Sequence, residues 1–324
     1  MIDFVKDIVK FMLWFPLRWT LPLFPLNAVY FIGNIGGNIH LRFSGNLRKA
    51  MHEELSIIFS GKYSDEEKKS VIRRTYKIMA KNQLEVLQFR SLTERKTKRI
   101  IRVEGLEKID LALSNGKGVV LLIAHFGANK LVMPALGFRG YRINQVAGKP
   151  TEWIRIMGDE ISPVSKKIFE LEIKNEQCLP ANFIYVFKSM KPIFRYLKNN
   201  EIVCMAIDGG GGTKKEEINF LGRKAMVSAG PFRIAQKTEA AILPAFVVRQ
   251  QDDTHRLIIE DPIEAEPNLT EEENNVNNLQ KFMKILEEYV GQYPCHYAFR
   301  LARARLLCRK DQVPLFKDYE REKA

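Results

Sequence analysis

The sequence predicts an α/β fold, a central mixed sheet flanked by helices, preceded by a hydrophobic helical membrane anchor at the N-terminus. Three observations carry this reading. Short apolar runs are bounded by turn residues, amphipathic stretches of helical spacing separate them, and one long uncharged run lies near the start. With 324 residues, 46% hydrophobic and 27% charged, the chain has enough apolar surface for one sizeable core and is not a disordered polymer. The expected organisation is a membrane-associated segment at 1–41, one main domain at 42–310 and a polar tail at 311–324.

The first segment is basic at Lys6 and Lys10 and then apolar, and from Trp19 to Leu41 it carries no charge if His40 is neutral. That run is long enough to span a bilayer, which takes about 20 residues. Pro22, Pro25, Gly33, Gly36 and Gly37 make it a poor straight helix. Trp14, Trp19 and Tyr30 suit an interfacial belt, with Arg18, Arg42 and Lys49 at the headgroups. The expectation is an anchor that dips into or lies along the membrane, with a buried helical hairpin as the alternative. A signal peptide fits poorly, because the run passes signal length without a small-residue cleavage site.

Further on, Ser64 with Glu67 forms a capping-box pattern, and Ile72, Tyr76, Met79, Leu84 and Leu87 continue it as an amphipathic helix to about Phe89. Gly116-Lys117-Gly118 introduces a buried strand from Val119 to Ala124. Other strands are expected at Arg142 to Val146, Ile202 to Ile207, Ala241 to Val248 and Leu257 to Ile259. Leu279, Phe282, Met283, Leu286, Tyr289 and Val290 keep one face of a late helix apolar.

Lys and Arg outnumber Asp and Glu by 51 to 38, and the net charge of +13 favours anionic partners: phospholipid headgroups, phosphorylated cofactors or acidic carrier proteins. No nucleic-acid-binding module accompanies that charge. Cys178, Cys204, Cys295 and Cys308 show neither CxxC spacing nor a histidine-rich setting, so they read as reduced and not as zinc ligands. Gly209 to Thr213 with Lys214-Lys215 lacks P-loop spacing, which excludes a nucleotide hydrolase of that type and leaves a glycine-rich gate as the better reading.

In open α/β sheets ligand chemistry collects at the carboxyl ends of strands, and His125 and Asp208 both occupy such ends. A neutral imidazole there can take the proton of an attacking hydroxyl and return it to a leaving thiol. Position alone leaves a structural histidine, and a turn or cap aspartate, equally open.

Ala124-His125-Phe126-Gly127-Ala128-Asn129 resembles the histidine motif of the lysophospholipid acyltransferase superfamily, in particular its late lipid A acyltransferase branch. The resemblance extends through Arg42 to Leu47, Phe220-Leu221-Gly222-Arg223, Gly230-Pro231, Arg233-Ile234-Ala235, Thr238 to Ala241 and Leu243-Pro244, and ends at Tyr293-Pro294 with Tyr297 and Phe299. It implies a glycerolipid-acyltransferase-like fold and transfer of a fatty-acyl group from a thioester donor to a hydroxyl of a membrane lipid or glycolipid. His125 would be the general base. The donor would be an acidic acyl carrier protein or acyl-CoA, with no other cofactor and no metal, and the place of action the cytoplasmic face of a bacterial inner membrane.

The family usually carries Asp or Glu five positions after the histidine. Here that position is Lys130, whose ammonium has only donors and cannot orient the imidazole. Another carboxylate substitutes, or the histidine works alone, or the protein is a catalytically silent lipid-binding homologue. Asp208 is the best substitute, and the family motif also places an Asp near it; Asp159 and Glu160 fit less well. Asn129 and Lys130 in the motif, with Gly222 and Arg223, are the expected substrate-binding residues. Lys130 serves as a cation for phosphate or snorkels to the surface. Arg223 grips phosphate, steadies charge on the thioester oxygen, or is a surface arginine.

Overall fold

The computed structural model describes residues 14–148, 162–186, 189–209, 212, 214–308 and 313–319, together with Ile8 and Phe11. A seven-stranded sheet forms the centre, from β1 (Ile101–Glu104), β2 (Val119–Ile123), β3 (Ile143–Ala147), β4 (Asn182–Tyr185), β5 (Ile202–Ala206), β8 (Ala241–Arg249) and β9 (His255–Ile259). Its order is β1-β9-β8-β2-β5-β3-β4. The β8–β9 pair is antiparallel and every other neighbour pair is parallel, so the sheet is mixed, as expected. A separate hairpin of β6 (Glu216–Phe220) and β7 (Arg223–Val227) stands outside it.

The central strand β2 is buried on both faces. Val120 and Leu122 join one apolar cluster with Val203, Phe246, Phe282 and Leu286; Val119, Leu121 and Ile123 join another with Ile101, Leu136, Leu243 and Leu257. A parallel strand covered on both sides needs such an unbroken apolar run, which is why it was visible in the sequence.

Eleven α-helices follow a helical stretch at 14–20: α1 (Leu26–Phe43), α2 (Gly45–Ile58), α3 (Asp65–Gln88), α4 (Glu94–Ile100), α5 (Leu106–Ser114), α6 (Val132–Gly137), α7 (Pro163–Glu176), α8 (Lys191–Lys198), α9 (Gly230–Thr238), α10 (Glu271–Gln292) and α11 (Ala298–Leu306), counted among the described residues. The capping box forms as expected: Ser64 Oγ accepts the Glu67 N–H, and the Glu67 carboxylate accepts the Ser64 N–H at 2.7 Å.

Of the N-terminal expectation, only the capacity of the run to span a bilayer is corrected. Among the described residues no helix is long and apolar enough to cross a membrane. Instead α1 lies against α3, and Gly33 and Gly37 bring the two backbones together: a Cβ on Gly37 would stand 2.7 Å from Lys77 Cα. Helical packing this close requires glycine and ties α1 to the domain. The helix also runs through the boundary expected at 41/42. At the other end, Phe316 and Tyr319 are buried, with Phe316 bridged to Ala225 and stacked on Phe220.

Candidate active site

The parallel register of β2 and β5 builds the site. Ile123 pairs with Ala206, and the Ile207 N–H donates to the Ile123 carbonyl at 3.0 Å. His125 and Asp208 each lie two residues beyond that pair. Paired residues on parallel strands point to the same side, so equal offsets set the two side chains next to each other.

Asp208 receives hydrogen bonds from several directions. Its carboxylate accepts the His125 backbone N–H at 3.0 and 3.1 Å, lies 2.8 Å from His125 Nδ1, and accepts the Tyr297 hydroxyl at 3.0 Å. Arg300 adds charge, its Nε 3.4 Å from Asp208 Oδ2 and its Nη2 donating to the Asp208 carbonyl. Burial raises the carboxyl pKa, but His125, Arg300 and the hydrogen bonds outweigh it and hold Asp208 well below the usual carboxylate range. Burial and the Asp208 charge push the Tyr297 hydroxyl far up, so it stays a neutral donor.

An ionised carboxylate can only accept, so the bond to Nδ1 requires the proton on Nδ1. In the neutral ring Nε2 is then the unprotonated nitrogen. The Asp208 side chain is fully buried while that of His125 is 48% exposed, so the pair has an anchored end and an open one. Gly209 lies beside the ring: a Cβ there would meet His125 Cε1 at 3.4 Å, ordinary van der Waals contact. The rest of the expected glycine gate, at Gly210, Gly211 and Thr213, lies outside the described residues, as do Asp159 and Glu160.

The other expected residues are placed elsewhere. Asn129 opens a short 3-10 turn, Asn129–Leu131, after the histidine motif. Lys130 Nζ pairs with Glu176 of α7 at 2.6 Å. Burial depresses the ammonium, but Glu176 and Glu172 together hold its pKa above the ordinary value, so Lys130 carries charge inside an acidic cluster. Gly222 occupies the β6–β7 turn, where Leu221 and Gly222 both have positive φ, as a two-residue hairpin loop demands. Arg223 is clasped on all sides: Nη1 meets Glu54 at 2.8 Å, Nε and Nη2 grip Asp318 at 2.9 and 2.6 Å, and the guanidinium lies 3.8 Å over Phe316. Its side chain is 7% exposed.

Sequence reasoning brought His125 and Asp208 together and missed Tyr297 and Arg300 as their partners. Tyr297 was visible only as a motif position, and Arg300 is one of several arginines late in the chain, Arg300, Arg303 and Arg305. Neither has a spacing to the strands that points to Asp208, because the 3-10 turn Pro294–His296 and helix α11 return to the sheet from the far end of the chain.

A solvent-facing histidine backed by a buried carboxylate, at the carboxyl rim of a mixed α/β sheet, has the chemistry of an acid–base group-transfer site. The chain belongs to the bacterial lipid A biosynthesis acyltransferase family, whose description matches residues 6–305, and it is an acyltransferase. It is 22% identical over 303 residues to the lipid A biosynthesis lauroyltransferase of Escherichia coli (strain K12), covering 91% of this chain and 90% of that protein. It is also 25% identical over 166 residues to the phosphatidylinositol mannoside acyltransferase of Mycobacterium tuberculosis (strain ATCC 25618 / H37Rv), covering 49% of this chain and 48% of that one.

Proposed function

We propose that this acyltransferase moves a fatty-acyl group from a thioester, carried by acyl carrier protein or CoA, to a hydroxyl of a membrane lipid or glycolipid, with His125 as general base. The observation that carries the reading is the 2.8 Å contact between His125 Nδ1 and the buried Asp208 carboxylate, which leaves Nε2 as the nitrogen for substrate on a half-exposed side chain.

In the step proposed, Nε2 takes the proton of the acceptor hydroxyl as its oxygen attacks the thioester carbonyl. Asp208 stabilises the imidazolium that results and keeps the ring from turning. The tetrahedral intermediate collapses, the C–S bond breaks, and Nε2–H returns the proton to the sulfur. Donor, acceptor and His125 balance the reaction, so no cofactor is invoked. In this reading Lys130 is tied to α7 and the acid of the family pattern is supplied from the next strand.

The acceptor lies in a bilayer, and α1 offers a surface to meet it. Phe31, Ile35, Ile39 and Phe43 recur at four-residue spacing and are exposed, with Trp19, Leu23 and Phe24 exposed just before them. Gly33 and Gly37 occupy the opposite, packed side. Arg18, over the Trp19 ring at 4.4 Å, and exposed Arg42 flank the stripe with positive charge. This is the pattern of a helix lying in the plane of an anionic interface, which supports attachment to the cytoplasmic face of the inner membrane without a span.

The test is to supply purified protein with acyl carrier protein or CoA thioesters and detergent-solubilised lipid acceptors, and to identify products by mass spectrometry. Acylated lipid formed by wild type and absent with His125→Ala is expected. Product formed equally by both proteins contradicts the reading.

A further inference from the structure

The loop that carries His125 is held from behind by groups the acyl-transfer step does not use. Asn82, half-buried in the C-terminal half of α3, donates from Nδ2 to the Gly127 carbonyl at 2.9 Å and accepts at Oδ1 from Arg249 Nη2 at 2.8 Å. These partners are 45 and 167 residues away in sequence. Asparagine is a poor helix former, and here both ends of its amide serve other elements instead of α3.

Arg249, at the end of β8, is fixed in turn. Its Nη2 lies 2.8 Å from the Glu85 carboxylate, which also receives the Tyr30 hydroxyl at 2.7 Å and contacts His255 Nε2 at 2.9 Å. Its backbone N–H donates to His296 Nε2 at 3.1 Å. The His296 carbonyl accepts the Gly127 N–H at 3.0 Å, and the His296 ring stacks on Phe126 at 5.3 Å. Both polar groups of Gly127 are therefore clamped, the N–H by His296 and the carbonyl by Asn82. Gly127 itself has φ of +58°, and a Cβ would stand 2.0 Å from the Val247 carbonyl oxygen.

His125, Phe126 and Gly127 form one short segment with few free torsions. Asp208 fixes its first N–H and Asn82 its last carbonyl. Releasing the Gly127 carbonyl frees the peptide group after Gly127 and leaves the His296 bond to hold this end of the segment, so the segment shifts and the His125 ring moves from the geometry in which Nδ1 faces Asp208. Displacement of a reacting group by about 1 Å costs up to about a hundredfold in rate.

We infer that Asn82, held by Arg249, is a positioning residue that keeps the His125 imidazole aligned on Asp208. The inference rests on the general-base reading of His125.

Two variants test it in the full-length enzyme in detergent. Asn82→Asp retains the acceptor for Arg249 and removes the donor to Gly127; Asn82→Ala removes both. The readouts are kcat, KM and the pH profile of kcat, with thermal melting, and the nuclear magnetic resonance signal of the His125 Nδ1 proton, which needs no substrate. For both variants kcat is expected to fall about tenfold or more with KM within about twofold, together with a shifted or exchange-broadened Nδ1 proton. A kcat within about twofold of wild type in both variants overturns the inference. An unchanged Nδ1 resonance and pH profile, with activity falling only in step with melting temperature, also overturns it by reducing Asn82 to a structural role. If His125→Ala stays active, the general-base reading itself fails; if His125→Ala is inactive and both Asn82 variants behave as wild type, only the positioning role fails.

Discussion

The Asp208 carboxylate holds His125 at two points, accepting its backbone N–H at 3.0 Å and facing its Nδ1 at 2.8 Å. An asparagine keeps the size of this side chain but not its charge, and it can offer an N–H to Nδ1 and favour the wrong tautomer. Asp208→Asn is expected to lower kcat by about a hundredfold or more while KM changes by only a few-fold, measured by steady-state acyl transfer.

The same carboxylate sets an acid limit on stability. Its pKa in the folded protein is below its unfolded value, so its contribution is fully present above the unfolded pKa of about 4 and is lost as pH falls through the folded value. Thermal melts between pH 7 and pH 3 are expected to show a steeper loss in wild type than in Asp208→Asn across the lower part of that window. Parallel curves for the two proteins contradict the assignment.

Arg223 makes a different prediction from the one its motif suggested. Its guanidinium joins Glu54, whose side chain is fully buried, to Asp318 and to the Phe316 ring, and so ties α2 and the segment around 316–319 to the β6–β7 hairpin. Arg223→Ala is expected to cost about 2–4 kcal/mol of stability in urea unfolding, with Arg305 left as the partner of Glu54. The kcat of the fraction that remains folded is expected to be close to wild type.

How far the sequence carried these conclusions differs by element. The strands at β2, β5 and β8 were legible because burial on both faces leaves a continuous apolar signature, and the helix α3 because its capping box is local. β1 and β4 are four residues long with exposed or half-buried positions, and β6 reads as charged, so their patterns lack contrast. His125 and Asp208 were legible as strand-end residues. Their pairing was one of several readings the sequence left open, since it depends on β2 and β5 being neighbours in register. The uncharged run near the N-terminus read as an anchor that dips into or lies along the membrane, because apolar length alone does not separate a helix in lipid from one packed on the protein. What separates them is the second face, where Gly33 and Gly37 meet α3.

The exposed stripe of α1 gives the prediction for the membrane. Replacing Phe31, Ile35 and Ile39 together by Ser removes apolar surface from the solvent side and leaves the α3 contact untouched. Sedimentation with anionic phospholipid vesicles is expected to fall about tenfold or more, since each buried large apolar side chain contributes about 1.5–3 kcal/mol. Melting temperature is expected to stay within a few degrees of wild type, and undiminished vesicle binding contradicts the docking face.

The central claim is that His125 Nε2 takes the proton of the acceptor hydroxyl. The most direct measurement is single-turnover acyl transfer by wild type and His125→Ala at matched, saturating donor and acceptor, with folding checked by melting. The account predicts a loss of about a thousandfold in the variant with the fold intact. A folded His125→Ala protein that transfers the acyl group within about tenfold of the wild-type rate contradicts it.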